Sequence, residues 1–251
     1  MDMEKRRPVT SSVYFFTSHF FSTLQEDGPE AVTSWTAKKN IDIFQKKLIF
    51  LPINESLHWS LCVVVNPGSI MNSISCGRGQ RFEQWPCILF FDSLKAHRKS
   101  KVASKVRGWL NSEAMRLGKF GSEDKPFSVS SMKVYDPKIP YQDNSWDCGV
   151  FVCRYAYSLF LLREENFNRY DAESDKRPFE ELITNNIEFE FDMGDISRLR
   201  REMQKLIKNL SDSYLKLKEK EAERKRERKL RKKQSKEWVE SSKKGNKAEM
   251  V

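Results

Sequence analysis

Three short stretches carry side chains that could together perform acyl transfer through a thiol: His58-Trp59, Phe91-Asp92-Ser93 and Gln142-x5-Cys148-Gly149. A cysteine attacks as its thiolate, so its pKa must fall toward neutrality. The start of a helix supplies partial positive charge and unpaired N–H groups for that purpose. Cys148 stands where a long apolar helix is expected to begin, just behind Asp143, Asn144 and Asp147, all of which are capping types. An imidazole must take the thiol proton and later give it to a leaving amine, and His58 is the best placed of the three histidines. His19 falls inside an aromatic helix, and His97 lies in a Lys/Arg-rich loop that suggests solvent. Asp92, at the end of a buried strand, is the natural carboxylate to orient the ring. Gln142 is close enough in sequence for its amide to donate, beside the Cys148 backbone N–H, to a developing oxyanion. Taken singly these residues say little, since a cysteine on an apolar helix is ordinarily a small buried hydrophobe. It is the conjunction, in this order, that points to a Cys-His-Asp triad with a glutamine in the oxyanion hole.

The elements that must position these groups are legible from periodicity. Lys47–Ile53 and His58–Val65 read as strands joined by the polar turn Asn54-Glu55-Ser56, and Cys87–Phe91 as a strand buried on both faces. Phe127–Val134 alternates like another strand, and Val102–Leu117 has helical spacing. Tyr14–Leu24 reads as a buried aromatic helix, followed across Asp27-Gly28-Pro29 by a short helix over Glu30–Lys38. Cys148–Leu162 is apolar on all sides, as befits a helix in the middle of a fold. Asn66–Gln84, rich in Gly, Ser and Asn, reads as an exposed loop. The order of elements implies an α+β architecture.

The remaining classes narrow by composition. With 39% hydrophobic and 12% aromatic residues, the 251-residue chain has ample material for a core. The net charge of +10 would suggest a polyanionic partner, but residues 198–251 hold 20 Lys+Arg against 9 Asp+Glu. The first 197 residues are therefore close to neutral, and nucleic acid is not expected as a partner of the body. A weak contact through the basic tail stays open. No apolar run is long enough to span a bilayer, so no membrane association is expected, and Met1–Thr10 lacks the apolar stretch of a secretory signal. Five scattered cysteines form neither a disulfide framework nor a zinc pattern; no metal or other cofactor is expected, and the thiols should be reduced, as in an intracellular protein. An apolar stripe from Leu199 through Leu206, Leu210 and Tyr214 ends at Leu217. The chain accordingly divides into an N-terminal extension over residues 1–12, a domain over 13–217 and a basic tail over 218–251, read as a solvated helix that frays.

These motifs resemble the SUMO-specific (ubiquitin-like-protease, or sentrin-specific protease) cysteine proteases, relatives of the adenovirus endopeptidase. The resemblance rests on Val13-Tyr14-Phe15-Phe16, Asp42-Ile43-Phe44, Ile49-Phe50-Leu51-Pro52-Ile53-Asn54, His58-Trp59, Phe91-Asp92-Ser93-Leu94, Ile139-Pro140-Tyr141-Gln142-Asp143-Asn144 and Asp147-Cys148-Gly149-Val150-Phe151. It implies a papain-like α+β fold, with a central mixed sheet flanked by helices and the nucleophile at the start of a buried helix. It implies Cys148 as nucleophile, His58 as base, Asp92 as orienter and Gln142 as oxyanion donor. Trp59 corresponds to a wall of the narrow channel that admits a Gly-Gly C-terminus, an alternative to simple core packing. The implied activity is cleavage after the Gly-Gly of SUMO, in deconjugation and precursor maturation, by a monomer working in the nucleus. Two alternatives stand beside it: a protease for another ubiquitin-like modifier, and a catalytically impaired SUMO-binding module. The second arises because the chain reaches Val13-Tyr14 almost at once, without the upstream segment whose second tryptophan closes the family's channel.

Overall fold

Period-two alternation of apolar residues decides the centre of the fold. In the computed structural model, which describes residues 12–72, 86–121, 123–165 and 189–248, five strands form one mixed sheet. They run in the order β1 (Val13–Phe15), β2 (Leu48–Glu55), β3 (His58–Val65), β4 (Cys87–Phe91) and β5 (Lys133–Tyr135). The three central strands pair antiparallel, and both edge strands pair parallel to their neighbours. Alternate residues therefore face opposite layers. Ile49, Leu51, Ile53, Cys62, Val64, Ile88 and Phe90 pack on one side. They meet Phe20 and Leu24 of α1 (Ser18–Asp27), Val32 of α2 (Pro29–Ala37), and Val106, Trp109 and Leu110 of α4 (Lys99–Arg116). The other side is covered by α5 (Cys148–Glu165), whose Tyr155 stacks on Phe91 with ring centroids 5.5 Å apart. Phe189 adds an edge contact to the same ring at 5.4 Å. Each such large apolar side chain contributes roughly 1.5–3 kcal/mol by leaving water. A sheet sandwiched between helices on both faces is the α+β, mixed-sheet architecture expected.

Three local expectations differ from what forms. The segment expected as a helix from Tyr14 begins as strand β1, and helix starts only at Ser18. Phe15 is drawn into the sheet by stacking on Phe50 at 4.4 Å, which the aromatic spacing alone did not reveal. Phe127–Val134 is not one strand: only Lys133–Tyr135 pairs. The serines before it bond among themselves, with the Ser128 N–H donating to Ser131 Oγ at 2.8 Å and the Ser131 hydroxyl donating to the Pro126 carbonyl. Short polar side chains thus satisfy the backbone that a ladder would otherwise have used. Third, Asn54 and Glu55 continue strand β2, leaving a two-residue turn.

That turn is Ser56-Leu57, with φ of 53° and 62°. Two left-handed residues in a two-residue hairpin loop are ordinarily supplied by Asn-Gly. Leu57, 98% exposed, gains nothing from packing in return. Replacing the pair by Asn-Gly is expected to stabilise the fold by about 1–2 kcal/mol. Chemical denaturation measures this, and an unchanged midpoint would show that the turn is not strained.

Of the expected loop at 66–84, residues 73–84 lie outside the described residues; Asn66 is buried and is followed by a short helix, α3 (Ser69–Asn72). Residues 1–11 of the expected N-terminal extension also lie outside. The last helix, α6, spans Met193–Ala248. The chain forms two compact units, Met1–Ile196 and Ser197–Val251. The expected boundary at 217 rests on the apolar stripe, whose members Leu206, Leu210, Tyr214 and Leu217 are exposed in α6. Among the described residues no helix is long and apolar enough to cross a membrane.

Candidate active site

The site gathers at one end of the sheet, where β3 begins, β4 ends and α5 starts. Helix α5 is set by a turn just ahead of it. Asn144 Oδ1 accepts from the Trp146 and Asp147 N–H groups at 3.1 and 3.0 Å, and its Nδ2 donates to Asp147 Oδ2 at 2.8 Å. The Asp147 carbonyl then accepts from the Phe151 N–H at 2.9 Å, which makes Asp147 the N-cap and Cys148 the first helical residue. Of the three capping candidates, Asp147 takes the cap, Asn144 shapes the turn, and Asp143 only accepts from Asn144 Nδ2 at 3.2 Å. Cys148 is buried at this positive helix end. Trp59, half-buried on β3, packs close to the same first turn: a Cβ added to Gly149 would lie 3.8 Å from its indole.

His58 and Asp92 meet across β3 and β4. His58 Nε2 lies 2.7 Å from Asp92 Oδ1, and both side chains are buried. A carboxylate can only accept, so Nε2 carries the proton. His58 Nδ1 is buried with no hydrogen-bond partner among the described residues. The carboxylate is anchored further by the Leu94 N–H on Oδ1 at 3.0 Å and the His97 N–H on Oδ2 at 2.8 Å. Burial opposes ionisation of Asp92, but the His97 N–H, the His58 imidazole and the Leu94 N–H together outweigh it and hold its pKa below the ordinary carboxylate value.

Gln142 is buried near the same strand end. Its N–H donates to the Ser93 carbonyl at 3.3 Å, and its Nε2 donates to the Asn144 carbonyl at 2.5 Å. Asp92 and Cys148 are thus joined through a short chain of bonds running Ser93, Gln142, Asn144, Asp147.

The other cysteines are chemically distinct. Cys62 is fully buried in the sheet, and burial pushes its thiol up to about 12. Cys87 is likewise buried and raised. Cys76 lies outside the described residues. His58, Asp92 and His97 place possible ligand atoms within 4.8 Å of one another. Both Asp92 oxygens and both His97 nitrogens are already engaged with hydrogen-bond partners, so a cation there would have to dismantle the network that orients His58.

Residues 3–215 match the Ulp1 protease family, C-terminal catalytic domain. The chain belongs to this family. It is 33% identical over 175 residues to the probable ubiquitin-like-specific protease 2B of Arabidopsis thaliana, covering 63% of this chain and 18% of that protein. To sentrin-specific protease 5 of Homo sapiens it is 32% identical over 176 residues, covering 69% and 20%. The matched part thus spans about a fifth of the length of these relatives. The crystal structure of a de-sumoylating protease superposes with a TM-score of 0.60 at 24% identity, over 84% of this chain and 75% of that one. The Ulp1-type fold seen here is therefore shared with a solved protein.

Within this Ulp1-family domain, sequence reasoning misread His97 and passed over Ser93. The loop holding His97 is not simply solvated. The Ser60 hydroxyl is hydrogen-bonded to His97 Nδ1 at 2.7 Å, and Nε2 donates to the Glu55 carbonyl at 3.0 Å. The ring packs edge-on against His58 with centroids 4.8 Å apart. The Glu55 carbonyl can only accept, so Nε2 carries a proton and the ring orientation is fixed. The neighbouring charges of Lys95, Arg98 and Lys99 concealed this. His19, by contrast, is exposed on α1.

Proposed function

We propose that the chain is a thiol hydrolase that cleaves after the C-terminal Gly-Gly of SUMO, with Cys148 as nucleophile, His58 as general base, Asp92 as orienter and Gln142 as oxyanion donor. The observation that carries this reading is the His58–Asp92 pair. Asp92 pins the proton on Nε2, which leaves Nδ1 as the basic atom in a buried setting. Nδ1 takes the Cys148 proton, and the thiolate adds to the Gly-Gly carbonyl. The oxyanion is met by the Cys148 N–H and the Gln142 amide. Collapse expels the leaving amine as His58 returns the proton, and water releases the acyl group by the reverse sequence.

The surroundings favour a folded protein substrate. An exposed apolar side chain lies within two residues of each site residue: Leu57 before His58, Leu94 two after Asp92, Tyr141 before Gln142 and Trp146 two before Cys148. Exposed aromatic and aliphatic groups around a catalytic centre suit a protein interface. Trp59 packs against Gly149 beside the thiol, and an indole placed there suits a substrate segment without side chains. The relatives named above are described as ubiquitin-like-specific and sentrin-specific proteases, which supports SUMO as the modifier.

The test is covalent capture. SUMO, ubiquitin and other ubiquitin-like modifiers, each carrying a C-terminal thiol-reactive electrophile, are incubated with the protein and resolved by mass. A SUMO adduct that disappears in Cys148→Ala is expected. Capture of ubiquitin alone would replace SUMO as the substrate, and capture of nothing would leave a binding module.

A further inference from the structure

We infer that Ser93 is a positioning residue that fixes the Gln142 carboxamide for the oxyanion, a role that rests on the oxyanion reading of Gln142 above. Ser93 is 2% exposed, and its hydroxyl donates to Gln142 Oε1 at 2.5 Å. On the opposite side of the carboxamide, Nε2 donates to the Asn144 carbonyl at 2.5 Å. The two contacts act together. Rotating the carboxamide by half a turn would set Oε1 against the Asn144 carbonyl, acceptor against acceptor. The Ser93 hydroxyl supplies the donor that Oε1 needs once it is buried, so the correct rotamer is satisfied at both ends. One Nε2 proton goes to Asn144, and the second has no protein acceptor among the described residues. A preorganised donor of this kind stabilises an oxyanion without reorganising during the reaction.

The geometry also explains the place of Ser93 in the chain. It follows Asp92 directly, and its own carbonyl accepts the Gln142 N–H at 3.3 Å. One dipeptide at the end of β4 therefore serves both arms of the site. Asp92 orients the base through its carboxylate, and Ser93 holds the oxyanion donor through both its backbone and its side chain.

The test separates acyl transfer from thiol reactivity. Hydrolysis of a coumarin amide of SUMO, or of whichever modifier captures Cys148, passes through an oxyanion. Alkylation by iodoacetamide does not: the thiolate sulfur bonds to carbon as iodide leaves. For Ser93→Ala, kcat is expected to fall about tenfold, less than the 10²–10³-fold typical of deleting an oxyanion donor itself. KM and the alkylation rate of Cys148 should stay within about twofold of the parent. Ser93→Ala/Gln142→Ala should be no slower than Gln142→Ala alone, because a positioning group has nothing left to position. Equal losses in amide hydrolysis and alkylation, or multiplicative losses in the double variant, would overturn the inference. A normal kcat in Ser93→Ala beside a slow Gln142→Ala would overturn it while sparing the role of Gln142. A normal kcat in Gln142→Ala would remove that role and the inference together.

Discussion

Asp92→Asn is expected to lower kcat about 10⁴-fold while the protein remains folded. The reason is a count of donors. The native carboxylate accepts from His58 Nε2, the Leu94 N–H and the His97 N–H. A carboxamide of the same shape has one oxygen and one NH₂ to place. If the oxygen faces His58 and Leu94, the NH₂ confronts the His97 N–H, donor against donor. The loop around His97 then loses a bond that anchors it, and no negative charge remains to stabilise the imidazolium. If the NH₂ faces His58, Nε2 must accept, and the ring proton moves to Nδ1, the atom proposed to act as base. Either arrangement defeats proton transfer. Steady-state hydrolysis of a SUMO coumarin amide measures this, and a loss smaller than tenfold would mean that Asp92 does not set the tautomer.

The same carboxylate carries a pH signature. Because the Asp92 pKa is lower in the folded protein than in the unfolded chain, its ionised form favours folding. That stability is complete above the ordinary carboxylate range and is lost as the pH falls through the depressed folded value. Asp92→Asn should remove this acid sensitivity along with the activity.

How far the site could be read in advance follows from where its information resides. His58, Asp92, Gln142 and Cys148 each sit at an element boundary set by strong local patterns. These are the alternation of β3, the uninterrupted apolar run of β4 and the all-round apolarity of α5. The elements converge at one end of the sheet, so the residues at their ends meet. Ser93 and His97 were hidden because their roles depend on partners 49, 37 and 42 residues away, and no local pattern encodes such pairings. Ser93 did leave one trace, its adjacency to Asp92. The reading of Tyr14 as helical failed for a related reason. Val13–Phe15 is a strand only because Leu48–Phe50 lies alongside it, and tertiary pairing overrides an aromatic spacing that suits a helix equally well.

Cys148→Ala is expected to abolish turnover, by about 10⁴-fold or more, with little change in stability or in modifier affinity. Stability should hold because the change is small. Position 148 is the first residue of α5, alanine is the best helix former, and the Asp147 and Asn144 turn that starts the helix does not involve the thiol. Affinity should hold because Trp59 and the exposed rim of Leu57, Leu94, Tyr141 and Trp146 are untouched. Catalysis cannot hold, because no other described thiol can substitute. Cys62 and Cys87 are fully buried within the sheet with raised pKa values; Cys153 is exposed on α5, but partial desolvation still raises its thiol and it lies more than a turn beyond the helix start. A thiolate is needed for attack, and only Cys148 stands at the positive end of a helix in the site. The parent protein should therefore lose activity in step with the first equivalent of iodoacetamide, and peptide mapping should place that label on Cys148. Cys148→Ala should retain the parent Kd for SUMO. Residual turnover in this variant, or inactivation with the first label on another cysteine, would relocate the nucleophile.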